Sequence, residues 1–247
     1  MDTDKTGRIV WHDLFTPDTA TAMSFYARVA GWRYVTEHAT EFAWGGGERD
    51  FILALLEDEA GAGITDTPPG LTDGWIAYIE VDDVDLAITR AEALGGAIVR
   101  LPFDVAGVGR NGLLRDPLGA LVGISMSRHT FPAPKRQFGC EIYWSANATF
   151  PGAFYSELFG WEVSPHDESS HSVLVRGPSG DPVAHVLNDV AAEPGCAWLP
   201  RIRTTALESS VKAALAGGGS VAGAAGDQAF ALLRDPNGVG FALSNAP

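Results

Sequence analysis

The chain repeats its own pattern, and that limits it to folds built from two copies of one module. Phe25-Tyr26 followed by Gly31-Trp32 returns as Phe154-Tyr155 followed by Gly160-Trp161. Leu114-Arg115-Asp116-Pro117 with Gly119 returns as Leu233-Arg234-Asp235-Pro236 with Gly238, and Trp75, ahead of a strand-like run, returns as Trp198. The landmarks keep one order in both copies. Between the copies, Ser127-Arg128-His129-Thr130-Phe131-Pro132-Ala133-Pro134-Lys135-Arg136 carries two prolines, which bar a helix or a central strand. The predicted organisation is a first module over residues 1–128, a linker over 129–136 and a second module over 137–247. A length of 247 residues suits two domains of about 100–150 residues each.

Each copy divides again. In the first, Ile9–Phe15 reads as a strand, Thr16-Pro17-Asp18 as a turn, and Thr19–Val29 as a helix stopped by Gly31. Strand patterns follow at Trp32–Glu37, Glu41–Trp44 and Asp50–Leu56, with Gly45-Gly46-Gly47 as the turn between the last two, and Asp58–Asp73 reads as a loop. The order then restarts with strand Trp75–Val81, helix Asp83–Leu94 closed by Gly95-Gly96, and strands near Ala97–Leu101, Gly112–Arg115 and Ala120–Met126. The second copy follows the same plan, with helices Pro151–Phe159 and Ala206–Ala216, the latter closed by Gly217-Gly218-Gly219. The predicted fold class is α+β, with two tandem modules, each of two βαβββ units forming a curved sheet cup with helices on the convex side.

Charge narrows the partners. Seventeen Lys and Arg against 31 Asp and Glu leave a net charge of −14, which repels phosphate backbones and anionic lipid. Neither nucleic acid nor a membrane is an expected partner; a neutral or cationic small molecule is. No apolar run approaches the roughly 18 residues of a spanning helix. The opening MDTDKTGRIVWHD lacks the basic start and apolar stretch of a secretion signal, and Cys140 and Cys196 are too few for a disulfide framework. The cytoplasm is the expected location.

Four βαβββ units paired into two modules, with the Phe-Tyr…Gly-Trp and Asp-Pro-x-Gly signals, resemble the vicinal oxygen chelate superfamily. That group includes glyoxalase I, extradiol dioxygenases, methylmalonyl-CoA epimerase, fosfomycin resistance enzymes and bleomycin resistance proteins. The resemblance runs from Gly7 to Asn245, and the tandem form with Gly107-Val108-Gly109-Arg110 is similar to actinobacterial glyoxalase-like proteins. Members that use a divalent metal take His or Glu ligands from the first strand, the second half's first strand and the last strand of a module. The resemblance places those slots at Trp11, Ile76 and Gly123 in the first module and at Cys140, Leu199 and Ala242 in the second. His12, beside Trp11, faces the opposite side of its strand and reads as a buried histidine. Only Cys140 offers a donor atom, and hard metals need several oxygen or nitrogen donors together. No metal and no cofactor is expected.

Strand alternation sets Trp11, Asp13, Phe15, Ile76, Tyr78 and Glu80 on the cup face of the first module, an aromatic lining with two carboxylates. The second module sets Cys140, Ile142, Trp144, Leu199, Arg201 and Arg203 there, which gives the two cups opposite charge. Asp13 and Glu80 read either as an acid/base pair, with pKa values raised among aromatics, or as strand-end carboxylates that are solvated or paired with arginine. Arg201 and Arg203 read either as a clamp for a carboxylate or phosphate or as a surface ion-pair face. Trp11, Phe15, Tyr78 and Trp144 stack on a flat ligand if the cup is open and are core if it is closed. His185, in the apolar run Val183–Leu187, is a candidate for the second cup; His166 and His171 show no metal spacing. Gly107-Val108-Gly109-Arg110 precedes strand signals, so it is no phosphate loop and reads as a loop at the cup rim, with Arg110 in reach of a ligand.

The preferred reading is a metal-free protein that binds a small, partly aromatic and cationic molecule. The alternative from another class is a glyoxalase-like lyase or dioxygenase-type enzyme with an unrecognised metal site or acid–base chemistry by Asp13, Glu80 or His185. A third is an interaction module whose cups are filled by their own side chains. Two modules in one chain suit either a monomer with internal module pairing or a homodimer.

Overall fold

In a computed structural model of the chain, residues 6–40, 42–44, 47–129, 133–145, 150–164, 172–188, 196–223 and 230–245 are described. The class is α+β, with four helices and seventeen strands among them. The first half runs β1 (Ile9–Thr16), α1 (Thr19–Ala30), β2 (Arg33–Ala39), β3 (Arg49–Leu56), β4 (Glu59–Asp66), β5 (Gly74–Glu80), α2 (Val84–Ala93), β6 (Ala97–Val105), β7 (Gly109–Arg115) and β8 (Leu121–Ser127). The second runs β9 (Glu141–Ser145), α3 (Gly152–Phe159), β10 (Glu162–Val163), β11 (Ser172–Arg176), β12 (Pro182–Asn188), β13 (Cys196–Leu199), β14 (Arg201–Thr204), α4 (Leu207–Ala216), β15 (Ser220–Gly223), β16 (Phe230–Arg234) and β17 (Gly240–Asn245). No helix among the described residues is long and apolar enough to cross a membrane.

Local chemistry explains the helix ends. Asp18 stands at the N-terminus of α1, where its carboxylate accepts the Thr21 N–H at 2.9 Å, and Gly31 ends the helix in the left-handed region at φ 72°. Asp83 caps α2 in the same way through the Leu86 N–H. One predicted strand is corrected. Phe42–Trp44 form none, and the last strand of the first βαβββ unit is β4, inside the stretch expected to be a loop. Gly61 and Gly63 gave β4 the look of a loop. The structure needs both, because a Cβ at Gly61 would meet the Gln137 side chain at 1.9 Å and one at Gly63 would meet the Phe51 ring at 2.1 Å. The reversal into β4 falls at Glu57-Asp58, with Glu57 at φ 55°.

The chain divides into two compact units, and each takes one βαβββ half from each sequence repeat. The first unit holds Met1–Trp11, Ile76–Ala133 and Cys140–Trp198; the second holds His12–Trp75, Pro134–Gly139 and Leu199–Pro247. The first contains the strand runs β5-β8-β7-β6 and β10-β11-β12-β9-β13, and the second contains β2-β3-β4-β1 and β14-β17-β16-β15. Each has one core. In the first, Ile79, Ile88 and Leu114 meet Tyr143, Tyr155, Trp161 and Trp198. In the second, Leu14, Phe25, Tyr26, Trp32 and Trp75 meet Ile202, Leu233 and Phe241.

The repeated landmarks meet at the centre of these cores. In the second unit, the Trp75 indole N–H donates to the Tyr26 hydroxyl at 3.2 Å, and that hydroxyl donates to Asp235 Oδ2 at 3.2 Å. Asp235 Oδ1 accepts the backbone N–H groups of Asn237 and Val239, both at 2.9 Å. In the first unit, Trp198 donates to Tyr155 at 2.7 Å, and Tyr155 and Tyr143 donate to Asp116 Oδ2 at 3.0 and 2.8 Å. Asp116 Oδ1 accepts the N–H groups of Leu118 and Ala120. In both relays the tryptophan and its tyrosine come from one repeat and the aspartate from the other. Burial pushes both carboxyls above the usual aspartate range, and the hydrogen bonds they accept oppose that rise.

Tyr26→Phe and Tyr155→Phe are each expected to cost about 1–3 kcal/mol in urea unfolding, since each leaves a buried indole N–H and a buried carboxylate short of a partner. A raised folded-state pKa means the stability linked to Asp116 is complete below the unfolded value, near 3.9, and is lost as pH rises through the folded value. Asp116→Asn should therefore flatten the fall in stability from about pH 4 upward. Parallel pH profiles for the two proteins would refute this assignment.

Candidate functional site

Strands β5, β8, β7 and β6 turn one face to α2 and the core, through Ile79, Val122, Ile124, Leu114 and Ile98. The other face carries two rows of side chains in register. Arg100, Leu113, Gly123 and Tyr78 form the first row, and Phe103, Asn111, Ser125 and Glu80 the second. The Tyr78 ring lies over Gly123, so close that a Cβ there would sit 2.4 Å from a ring carbon. The Arg100 guanidinium stacks on the Phe103 ring, 3.5 Å from its centroid. Burial holds the Arg100 pKa below the usual arginine value, and the Tyr78 hydroxyl nearby opposes this. Glu80 is engaged by Ser127, whose N–H and hydroxyl donate to its two oxygens at 2.8 and 2.7 Å. Asn111 is 8% exposed, and its amide oxygen meets no hydrogen-bond donor among the described residues.

The remaining predicted residues divide between the units. In the first, Trp11 is half-buried, and His185 and Trp144 share a face of β12 and β9 through the pairs His185–Ile142 and Leu187–Trp144. Arg110 does not lie on the face of Tyr78 and Glu80. It pairs with Met126 on the helix side, where its guanidinium binds Asp85 through two nitrogens at 2.7 and 2.8 Å and Asp104 at 3.0 Å. In the second unit Asp13 and Phe15 are buried, with Asp13 against Gly63 and Phe15 edge-on to Trp44 at 5.0 Å. Asp13 and Glu80 thus belong to different units. Arg201 and Arg203 share the face of β14 opposite Ile202, which lies in the core. His12 is buried and stacks on Phe138 at 3.8 Å, as the alternation implied. His166 and His171 lie outside the described residues.

Known proteins with this architecture supply a family. The profile of the Glyoxalase/Bleomycin resistance protein/Dioxygenase superfamily matches residues 8–124, and that of the Glyoxalase-like domain matches residues 145–244. The chain belongs to this superfamily, with two such domains in tandem. A Mycobacterium tuberculosis protein named "Putative glyoxylase CFP32" is 29% identical over 94% of this chain and 92% of its own. The anthracycline biosynthesis protein DnrV of Streptomyces peucetius is 27% identical over 96% of this chain and 92% of its own. Among solved structures, the Mn(II)-bound glyoxalase from Novosphingobium aromaticivorans superposes with a TM-score of 0.65 at 15% identity, covering 98% of this chain and 82% of that one. This last likeness is one of fold.

A divalent metal of the superfamily's kind does not fit the residues present. Of the slots in the first module, Trp11 and Ile76 offer no donor to a hard cation, and at Gly123 the Tyr78 ring fills the space where a carboxylate side chain would begin. In the second module Leu199 and Ala242 are buried and apolar. Among the described residues no three His, Cys, Asp or Glu side chains stand together as a metal site would require. Sequence reading found Tyr78 and Glu80 but missed Arg100, Phe103 and Asn111, because only the β6–β7 register, with its two irregularities in β6, carries them to the same face. Gly123→Ala is expected to lower stability by about 1–3 kcal/mol through overpacking against Tyr78. Adding Tyr78→Ala should remove that penalty, and strict additivity in urea melts would contradict the close approach.

Proposed function

We propose that the protein binds a planar, hydroxylated aromatic molecule, cationic overall, at the face of β5-β8-β7-β6 that turns away from α2, without the metal centre of the superfamily's enzymes. The observation that carries this reading is the buried Asn111 amide oxygen with no donor of its own, set beside the Arg100–Phe103 stack and the Tyr78 ring. A buried acceptor left unpaired costs about 1–3 kcal/mol, which a hydroxyl or amine of a ligand offsets on binding. The aromatic rings supply flat apolar contact, and Arg100 supplies donors to ring oxygens. The net charge of −14 favours a cation over an anion at long range and disfavours nucleic acid and anionic membranes. Relatives named for anthracycline biosynthesis make an anthracycline, planar, phenolic and amino-bearing, the first probe.

Titration of the full chain with an anthracycline, read by tryptophan quenching and calorimetry, should saturate. Tyr78→Ala and Asn111→Ala should each weaken binding about tenfold, equivalent to about 1.4 kcal/mol, while the exposed Val108→Ala leaves it unchanged. Equal affinity in all three variants would remove this face as the site. Near-stoichiometric retention of Mn²⁺, Zn²⁺, Ni²⁺ or Fe²⁺ after dialysis would overturn the metal-free reading in favour of a lyase or dioxygenase.

A further inference from the structure

The second compact unit holds two arginines in an arrangement that self-contained folding does not explain. Arg201 and Arg203 are alternate residues of β14, so their guanidinium groups leave the strand on one side, roughly 7 Å apart at the backbone, while Ile202 between them enters the core. Segment 137–139 runs along β14, with the Gly139 N–H donating to the Arg201 carbonyl at 2.8 Å and the Arg203 N–H to the Gln137 carbonyl at 2.9 Å. The Arg201 side chain lies flat along Gly139, where a Cβ would meet its Nε at 3.0 Å. That Nε is buried with no hydrogen-bond partner, and the Arg201 guanidinium pairs with no carboxylate among the described residues. Arg203 spends one nitrogen on the Lys135 carbonyl. Glu59, the nearby acid, is occupied by the backbone N–H groups of Lys135 and Arg136.

Two adjacent, partly buried cations repel one another, and both burial and Arg201 hold the Arg203 pKa below the usual arginine value. A chain with 31 acidic residues has ample means to neutralise such a pair, yet Arg201 is left with open donors. Opposite the pair across β17 stand the small residues Ala242 and Ser244. We infer that Arg201 and Arg203 form an oxyanion-binding site that takes the carboxylate or phosphate group of a small molecule through their planar forks. This site does not rest on the function proposed for the β5-β8-β7-β6 face. It gives the second module a ligand of opposite charge to that of the first.

Benzoate, inorganic phosphate and the neutral analogue benzamide, each titrated calorimetrically into the full chain at matched ionic strength, test it. Saturable binding of benzoate or phosphate is expected, with none for benzamide; the tighter of the two anions identifies the group recognised. Arg201→Gln and Arg203→Gln should each weaken that binding at least tenfold. Arg201→Lys, which keeps the charge and loses the fork, guards against misfolding and should weaken it several-fold. Benzamide binding as well as benzoate, equal binding by the glutamine variants and the parent, or no binding of either anion would each overturn the site.

Discussion

Two buried carboxylates hold this structure together. Asp116 and Asp235 sit in the turns after β7 and β16, each with one oxygen satisfied by the backbone of its own turn and the other by tyrosine hydroxyls. Isolated in an apolar core, either charge would be prohibitively costly; fully hydrogen-bonded, it becomes a directional constraint that aliphatic packing alone does not supply. Because the tyrosine and tryptophan of each relay come from one repeat and the aspartate from the other, neither repeat can complete its own core. The compact units are consequently mixed, and the internal repetition of the chain is visible in space as two versions of one hydrogen-bonded relay.

Space left by glycine is the second recurring device. Gly61, Gly63, Gly123 and Gly139 lie in or beside strands, where glycine is normally unfavourable, and each makes room for a larger side chain of another element or another strand: Gln137, Phe51, Tyr78 and Arg201. At Gly123 the guest is an aromatic ring. The Tyr78 ring occupies the space where any larger side chain at this position would begin. At Gly139 the same device holds a guanidinium against the backbone with its donors unspent.

The legibility of the chain follows from how local each signal is. Helices α1 and α2 were readable because Asp18, Asp83 and Gly31 act within one turn of the backbone they cap. Strand β4 was not, since the glycines that suggest a loop are demanded by Gln137 and Phe51, residues remote or separate in sequence. The faces of β5 and β8 followed from simple alternation, so Tyr78 and Glu80 were found. The irregular pairing in β6 breaks alternation between Arg100 and Phe103, and both were missed for that reason. Arg110 looked like a rim residue because its partners Asp85 and Asp104 come together only across α2 and β6.

The sequence by itself determined the duplication, the βαβββ order, the family and the chemical poverty of the metal slots, all of which depend on residue identity and short-range spacing. Only the tertiary structure decided which halves share a core, which polar atoms are left without partners, and where a glycine yields its place to a distant side chain. Those properties depend on burial and on contacts between segments far apart in the chain. A carboxylate, an amide or a guanidinium has the same sequence letter whether it is satisfied or waiting for a ligand.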